Sequence, residues 1–135
     1  MLALCGWIEK KSFAAPNNGP SQWIWGESAA REERASWRHT AVGYAVHHVS
    51  SIFWGVLHEK TFGARPPGHP RTAVIHGLTT AAVANFVDYC VAPRRLQPGF
   101  DKHIGRVSMF AVYVSFGLGL AAIKIHQTLA HRRIG

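Results

Sequence analysis

VSMFAVYVSFGLGLAAIKI, residues 107–125, decides the fold class of this chain. Its first seventeen residues carry no charge, and only Lys124 interrupts the run near its end. A helix rising 1.5 Å per residue carries those seventeen across about 25 Å, most of a bilayer's hydrocarbon core. Two more apolar stretches, 41–57 and 73–91, have membrane length but hold polar groups inside them. The pattern predicts an all-α, multi-pass transmembrane helical bundle with three spans, at about 39–58, 73–92 and 106–125. A short N-terminal helical and interfacial segment over 1–37 precedes them, and 135 residues leave room for one domain.

Mean hydropathy is near zero (−0.01), which alone would suit a soluble protein. The average hides segregation: the charges fall almost wholly within 9–38, 58–71, 93–106 and the tail. Net charge is +8, which invites a nucleic-acid reading, but the basic residues flank the apolar segments. Arg38, Arg71, Arg94, Arg95, Arg106 and Lys124 sit where anionic lipid head groups favour them. The expected partners are therefore the bilayer and its head groups, with a protein partner or a second copy, and no nucleic acid. The Lys and Arg count favours a cytoplasmic N-terminus and 93–106 loop, with the C-terminus outside.

At the start, 2–15 is a candidate short helix, stopped by the turn cluster Pro16-Asn17-Asn18-Gly19-Pro20. Trp23, Ile24, Trp25 and Trp37 suit either the head-group level or a small apolar plug on the bundle. Residues 28–37 read as a polar helix capped by Ser28. Cys5 and Cys90 imply no disulfide framework, and Cys90 reads as a small buried thiol. Gly63 with Pro66 and Pro67 should stop the first long helix, Pro93 the second, and Arg132 and Arg133 should favour the C-terminal end of the third.

The first long helix carries a polar stripe, Thr40, Tyr44, His47, Ser51, Trp54 and His58, stepping by four, three, four, three and four residues. Polar groups in a span face the bundle interior or a wet cavity. His47, His48 and His58 are candidate haem or metal ligands or members of a proton path; the plainer alternative is hydrogen bonding to neighbouring helices. No second histidine matches their depth for a bis-histidine haem, and Glu59 adds no zinc spacing, so no cofactor is expected. The second long helix sets Asn85 and Asp88 on a face continued by Gly77, Ala81 and Ala84, suited to close helix contact. Asp88 should be compensated by Arg94 or Arg95 as an ion pair, or by the His47 and Tyr44 face; proton or cation handling is the sharper reading. On the third, the Gly117–Gly119 region and the line Ser108, Val112, Ser115, Gly119, Ala122 and His126 mark a packing face. No nucleophile motif, phosphate loop, dinucleotide fingerprint or metalloprotease helix occurs in the sequence.

RHTAVGYAVHHVSSIFWGVLHE (38–59), VDYCVAPRRLQPGF (87–100) and AAPNNGPSQWIWGESA (14–29) resemble a group of small multi-pass inner-membrane proteins of proteobacteria that has no assigned activity. The likeness covers roughly 14–123 and implies a bacterial inner-membrane location, with no catalytic role to carry over. Those proteins have a full apolar helix before the Ala-Pro-Asn segment. Here 1–12 is short and charged, which points to a truncated start or a half-helix in place of a fourth span. The leading expectation is a non-enzymatic accessory or assembly subunit. A histidine-based redox or metal protein and an ion-handling protein using Asp88 are the alternatives.

Overall fold

The structure, a computed structural model, describes residues 1–64 and 69–134, with side chains to residue 130. Pro66 and Pro67 and the side chains of Arg132 and Arg133 lie outside the described residues. The chain is all-helical, 81 % helix, with no strand among the described residues. Six α-helices follow in order: α1 (Leu2–Lys10), α2 (Ala15–Asn18), α3 (Gln22–Trp25), α4 (Val42–Phe62), α5 (Pro70–Phe86) and α6 (Arg106–Ile134).

The three long helices are the three that hydrophobic length predicts. Two stretches are long and apolar enough to cross a membrane, Pro70–Val91 and Arg106–Ala130, fewer than the three expected. The stretch expected as the first span forms α4 as one unbroken helix. His47, His48, Tyr44 and two serines keep its composition below the standard that the others meet.

Helices α5 and α6 pack on small residues. Gly77 of α5 lies against the Gly117 backbone of α6, and Ala73, Ala81, Ala84 and Ala121 are buried along the seam. The α5 face is the expected one. The α6 face is the expected one only in part: α5 is met at Gly117, within the expected 117–119 glycine region, and at Ala121, and Val112 of the expected line is buried, whereas Gly119 has open space around it and Ala122 is exposed. Two residues along a helix turn about 200°, so this correction moves the contact to the other side of α6.

Residues 1–36 and 93–105 form a cap at one end of the long helices. Helix α1 closes at Lys11, which takes a left-handed conformation (φ 54°) and returns its N–H to the Trp7 carbonyl. The cluster expected to be a simple turn is instead helical and buried. Helix α2, a 3₁₀ turn (Gly19–Ser21) and α3 run on from one another with Pro16 and Pro20 at first-turn positions, where a missing N–H costs nothing. Asn18, Ser21 and Gln22 are fully buried there. The Asn18 amide donates to the Glu32 and Arg34 carbonyls (2.7 and 3.0 Å) and accepts from the Thr40 hydroxyl (2.7 Å), so this buried polar group is well satisfied.

The helix expected over 28–37 does not form. A 3₁₀ turn (Ala29–Arg31) leads into extended chain whose carbonyls Asn18 holds, and Ser28 makes no cap. Ser36 caps instead, accepting from the His39 N–H at 3.0 Å ahead of a wide turn (Trp37–Ala41) that enters α4. Gly43 lets α4 lie against the Asn17 backbone.

Candidate functional site

Three polar contacts tie the long helices in pairs. The geometry at Thr80 suits its hydroxyl donating to the His76 carbonyl (3.1 Å) while accepting from His58 Nδ1–H (2.7 Å), which joins α4 to α5. Lys124, the lone charge in the apolar run of α6, reaches Glu59 of α4 at 2.9 Å. The Tyr113 hydroxyl of α6 donates to Asp88 Oδ2 at 2.7 Å.

The chain after α5 widens into a broad turn, Val87–Val91, whose amide at Ala92 reaches back to the Val87 carbonyl (2.8 Å). Such wide turns often sit at functional positions, and this one carries Asp88. A cavity of about 300 Å³ opens between α4, α5 and α6 beneath the cap, and Asp88, Tyr113 and His47 all line it. Its other walls are mostly apolar and include four aromatic rings: Trp23 and Phe100 from the cap, Trp54 from α4 and Phe116 from α6. The His47 ring meets Phe100 edge-on at 5.5 Å between centroids. The stripe on α4 thus turns inward at His47, Ser51, Trp54 and His58, while Tyr44 is exposed.

The candidate residues therefore separate. His47 faces the cavity with Asp88; His48 is exposed and donates to the Tyr44 carbonyl of its own helix (2.9 Å); His58 is buried one turn or more away against Thr80. Among the described residues no three His, Cys, Asp or Glu side chains gather at one point. Asp88 is not met by Arg94 or Arg95: both are exposed, and the ion pairs among the described residues join Lys10 to Glu33 and Lys124 to Glu59. Tyr113 takes the place expected of an arginine. Its signal in the sequence was a single phenol midway along an otherwise apolar run. Asn85 lines a second cavity, about 750 Å³, between α5 and α6. Cys90 is exposed, not buried.

Gln22 ties the two segments of the cap to each other. Its amide donates to the Arg94 and Gln97 carbonyls and accepts from Lys102 Nζ (2.7 Å), and the Trp23 indole N–H also reaches Gln97 O (3.3 Å). His103 in the same connection is buried, and its Nε2–H donates to the Ala30 carbonyl while Nδ1 has no partner among the described residues. Burial holds the His103 imidazole below its ordinary pKa, because a charged ring there loses water and gains little.

A carboxylate held by a phenol, beside a histidine and aromatic walls, can bind, orient and exchange a proton without covalent chemistry. No protein family, curated protein or solved structure matches the chain.

Proposed function

We propose that the protein is a three-span integral membrane protein of a bacterial inner membrane, with α4, α5 and α6 crossing the bilayer. The cap of 1–36 and 93–105 lies at one of its faces. One observation carries this reading: polarity is inverted between inside and outside. Val49, Ile52, Phe53, Val56 and Leu57 form an exposed apolar face on α4, and Phe86, Phe110 and Ile123 are likewise exposed on α5 and α6. The interior between the long helices holds glycines, alanines, Trp54, Val112 and the hydrogen-bonded pair His58 and Thr80. Water would penalise such an apolar surface, whereas lipid matches it. The apolar windows of the two candidate spans are only 22 % and 17 % buried, unlike the core helix of a soluble protein. Of the residues that lower α4's hydropathy, His47, Ser50 and Ser51 line the cavity, which is compatible with a span lining a bundle, while Tyr44 and His48 are exposed in the first two turns of the helix, next to the cap.

Within that bundle the working element is the Asp88 cavity, which handles a cation or proton by binding. A second reading, the accessory or assembly subunit, is favoured by open small positions: Gly55 and Gly119 have space around them for another helix. Membrane fractionation tests the placement. The protein should stay in the pellet through high salt and alkaline carbonate and leave it only with detergent. Release by carbonate alone would overturn the reading.

A further inference from the structure

We propose that the cavity between α4, α5 and α6 is a binding site for a small organic cation, a protonated amine carried on an apolar or aromatic body. The proposal deepens the reading of this cavity as the working site and does not depend on the membrane placement.

The walls select the charge. Asp88 is the one carboxylate among the residues that line the cavity, and no lysine or arginine lines it. The Tyr113 hydroxyl holds Oδ2 and so orients the carboxylate, while Oδ1 makes no hydrogen bond with the described residues and is not sealed from the cavity. Three donors of the walls are already committed. Tyr113 gives its proton to Asp88, the Trp23 N–H points to Gln97 O, and the Ser51 hydroxyl donates to the His47 carbonyl at 2.9 Å. The His47 ring and the Ser50 and Ser115 hydroxyls also line the space and can donate or accept, so the Asp88 carboxylate is the one acidic side chain offered to a ligand there.

The walls also select the body. Trp54, Phe100 and Phe116 present π-systems, which attract an ammonium by their negative faces and take an apolar group by contact. A space of about 300 Å³ is at the small end of ligand sites. It suits one ring and a short chain, and is too small for a bulky cofactor.

The test uses the purified full chain in an uncharged maltoside detergent at pH 7, with Trp23 and Trp54 as reporters in the wall. Phenethylammonium, 2-phenylethanol and 3-phenylpropionate share one aromatic body and differ in charge, and protein-free micelles correct for partitioning. Saturable quenching should appear for the ammonium at roughly tenfold or more lower concentration than for the alcohol, and not for the carboxylate. Asp88→Asn keeps an acceptor for Tyr113 and should bring the ammonium to the level of the alcohol. Equal binding of ammonium and alcohol by the wild-type chain, or tighter binding of the carboxylate, would overturn the proposal even if the variant failed to fold. Either of those wild-type results in a protein that still needs detergent for extraction would sink the cavity's assignment and leave the membrane placement standing.

Discussion

Replacing Gly77 with alanine probes the close backbone contact between α5 and α6. A methyl group there would stand 3.1 Å from the Gly117 carbonyl carbon and nearer still to its oxygen, with the Ala121 nitrogen at 3.3 Å. Backbone cannot swing aside as a side chain does, so α5 and α6 must separate along the whole Ala73 to Ala84 seam. Overpacking of this kind costs about 1–3 kcal/mol, offset by about 0.5–1 kcal/mol of gained helix propensity. Gly119→Ala is the matched control, since nothing lies within 4 Å of its added methyl and only the propensity gain applies. The two variants should therefore differ by about 2 kcal/mol, roughly thirtyfold in the unfolding constant. Titration with dodecyl sulfate in mixed micelles, followed by far-UV circular dichroism, reads this gap. Gly117→Ala should resemble Gly77→Ala, its methyl meeting the Gly77 oxygen at 2.8 Å, and the double variant should lose less than the sum because one contact is shared. Equal stability of the Gly77 and Gly119 variants would refute the packing of α5 on α6.

Gln22→Leu keeps the side-chain volume but strips the Lys102 ammonium of its partner and leaves the Gln97 and Arg94 carbonyls with only their longer bonds, to the Trp23 indole and the Gln97 N–H (3.3 Å each). It should cost about 2 kcal/mol or more and expose Arg94 and Arg95 to trypsin, which digestion kinetics would register. His103 binds its proton less readily folded than unfolded, so its contribution is fully present above about pH 6.5 and declines as pH falls through the lowered folded pKa. His103→Gln retains a donor for Ala30 and should flatten the loss of stability between pH 7.5 and 5.5 measured in the same titration. A slope unchanged by the substitution would place the titrating group elsewhere.

The long helices were legible because hydrophobic length and charge segregation need no tertiary information. The inward stripe of α4 was legible for the same reason, since His47, Ser51, Trp54 and His58 keep helical spacing. The rotation of α6 was not. Ser115, Gly117, Gly119, Ala121 and Ala122 ring that helix with small residues, and only the partner glycine on α5 selects a side. The buried run from Ala15 to Trp25 was hidden by its own composition. Proline, glycine and asparagine suggest an exposed turn, yet here the prolines start helical turns and the amides of Asn18 and Gln22 satisfy carbonyls distant in sequence. Local propensity cannot register those partners. The same reason explains 28–37, whose good helix formers are drawn into extended chain by Asn18. Asp88 stood out as a costly carboxylate, but its partner lies on α6, twenty-five residues on, and not on the adjacent arginines.

The central claim is that α4 crosses the bilayer with its polar side inward, although its composition alone does not mark it as a span. Cysteine accessibility along that helix tests it most directly. In a background with Cys5 and Cys90 replaced by serine, single cysteines at Val49, Ile52, Phe53 and Val56 would be treated with a water-soluble maleimide in intact membrane vesicles opened to both sides. Those four positions should resist labelling until the membrane is dissolved in dodecyl sulfate, whereas a cysteine at Trp37, exposed in the cap, should react at once. Labelling of all four as fast as position 37 would place α4 in water and contradict the account.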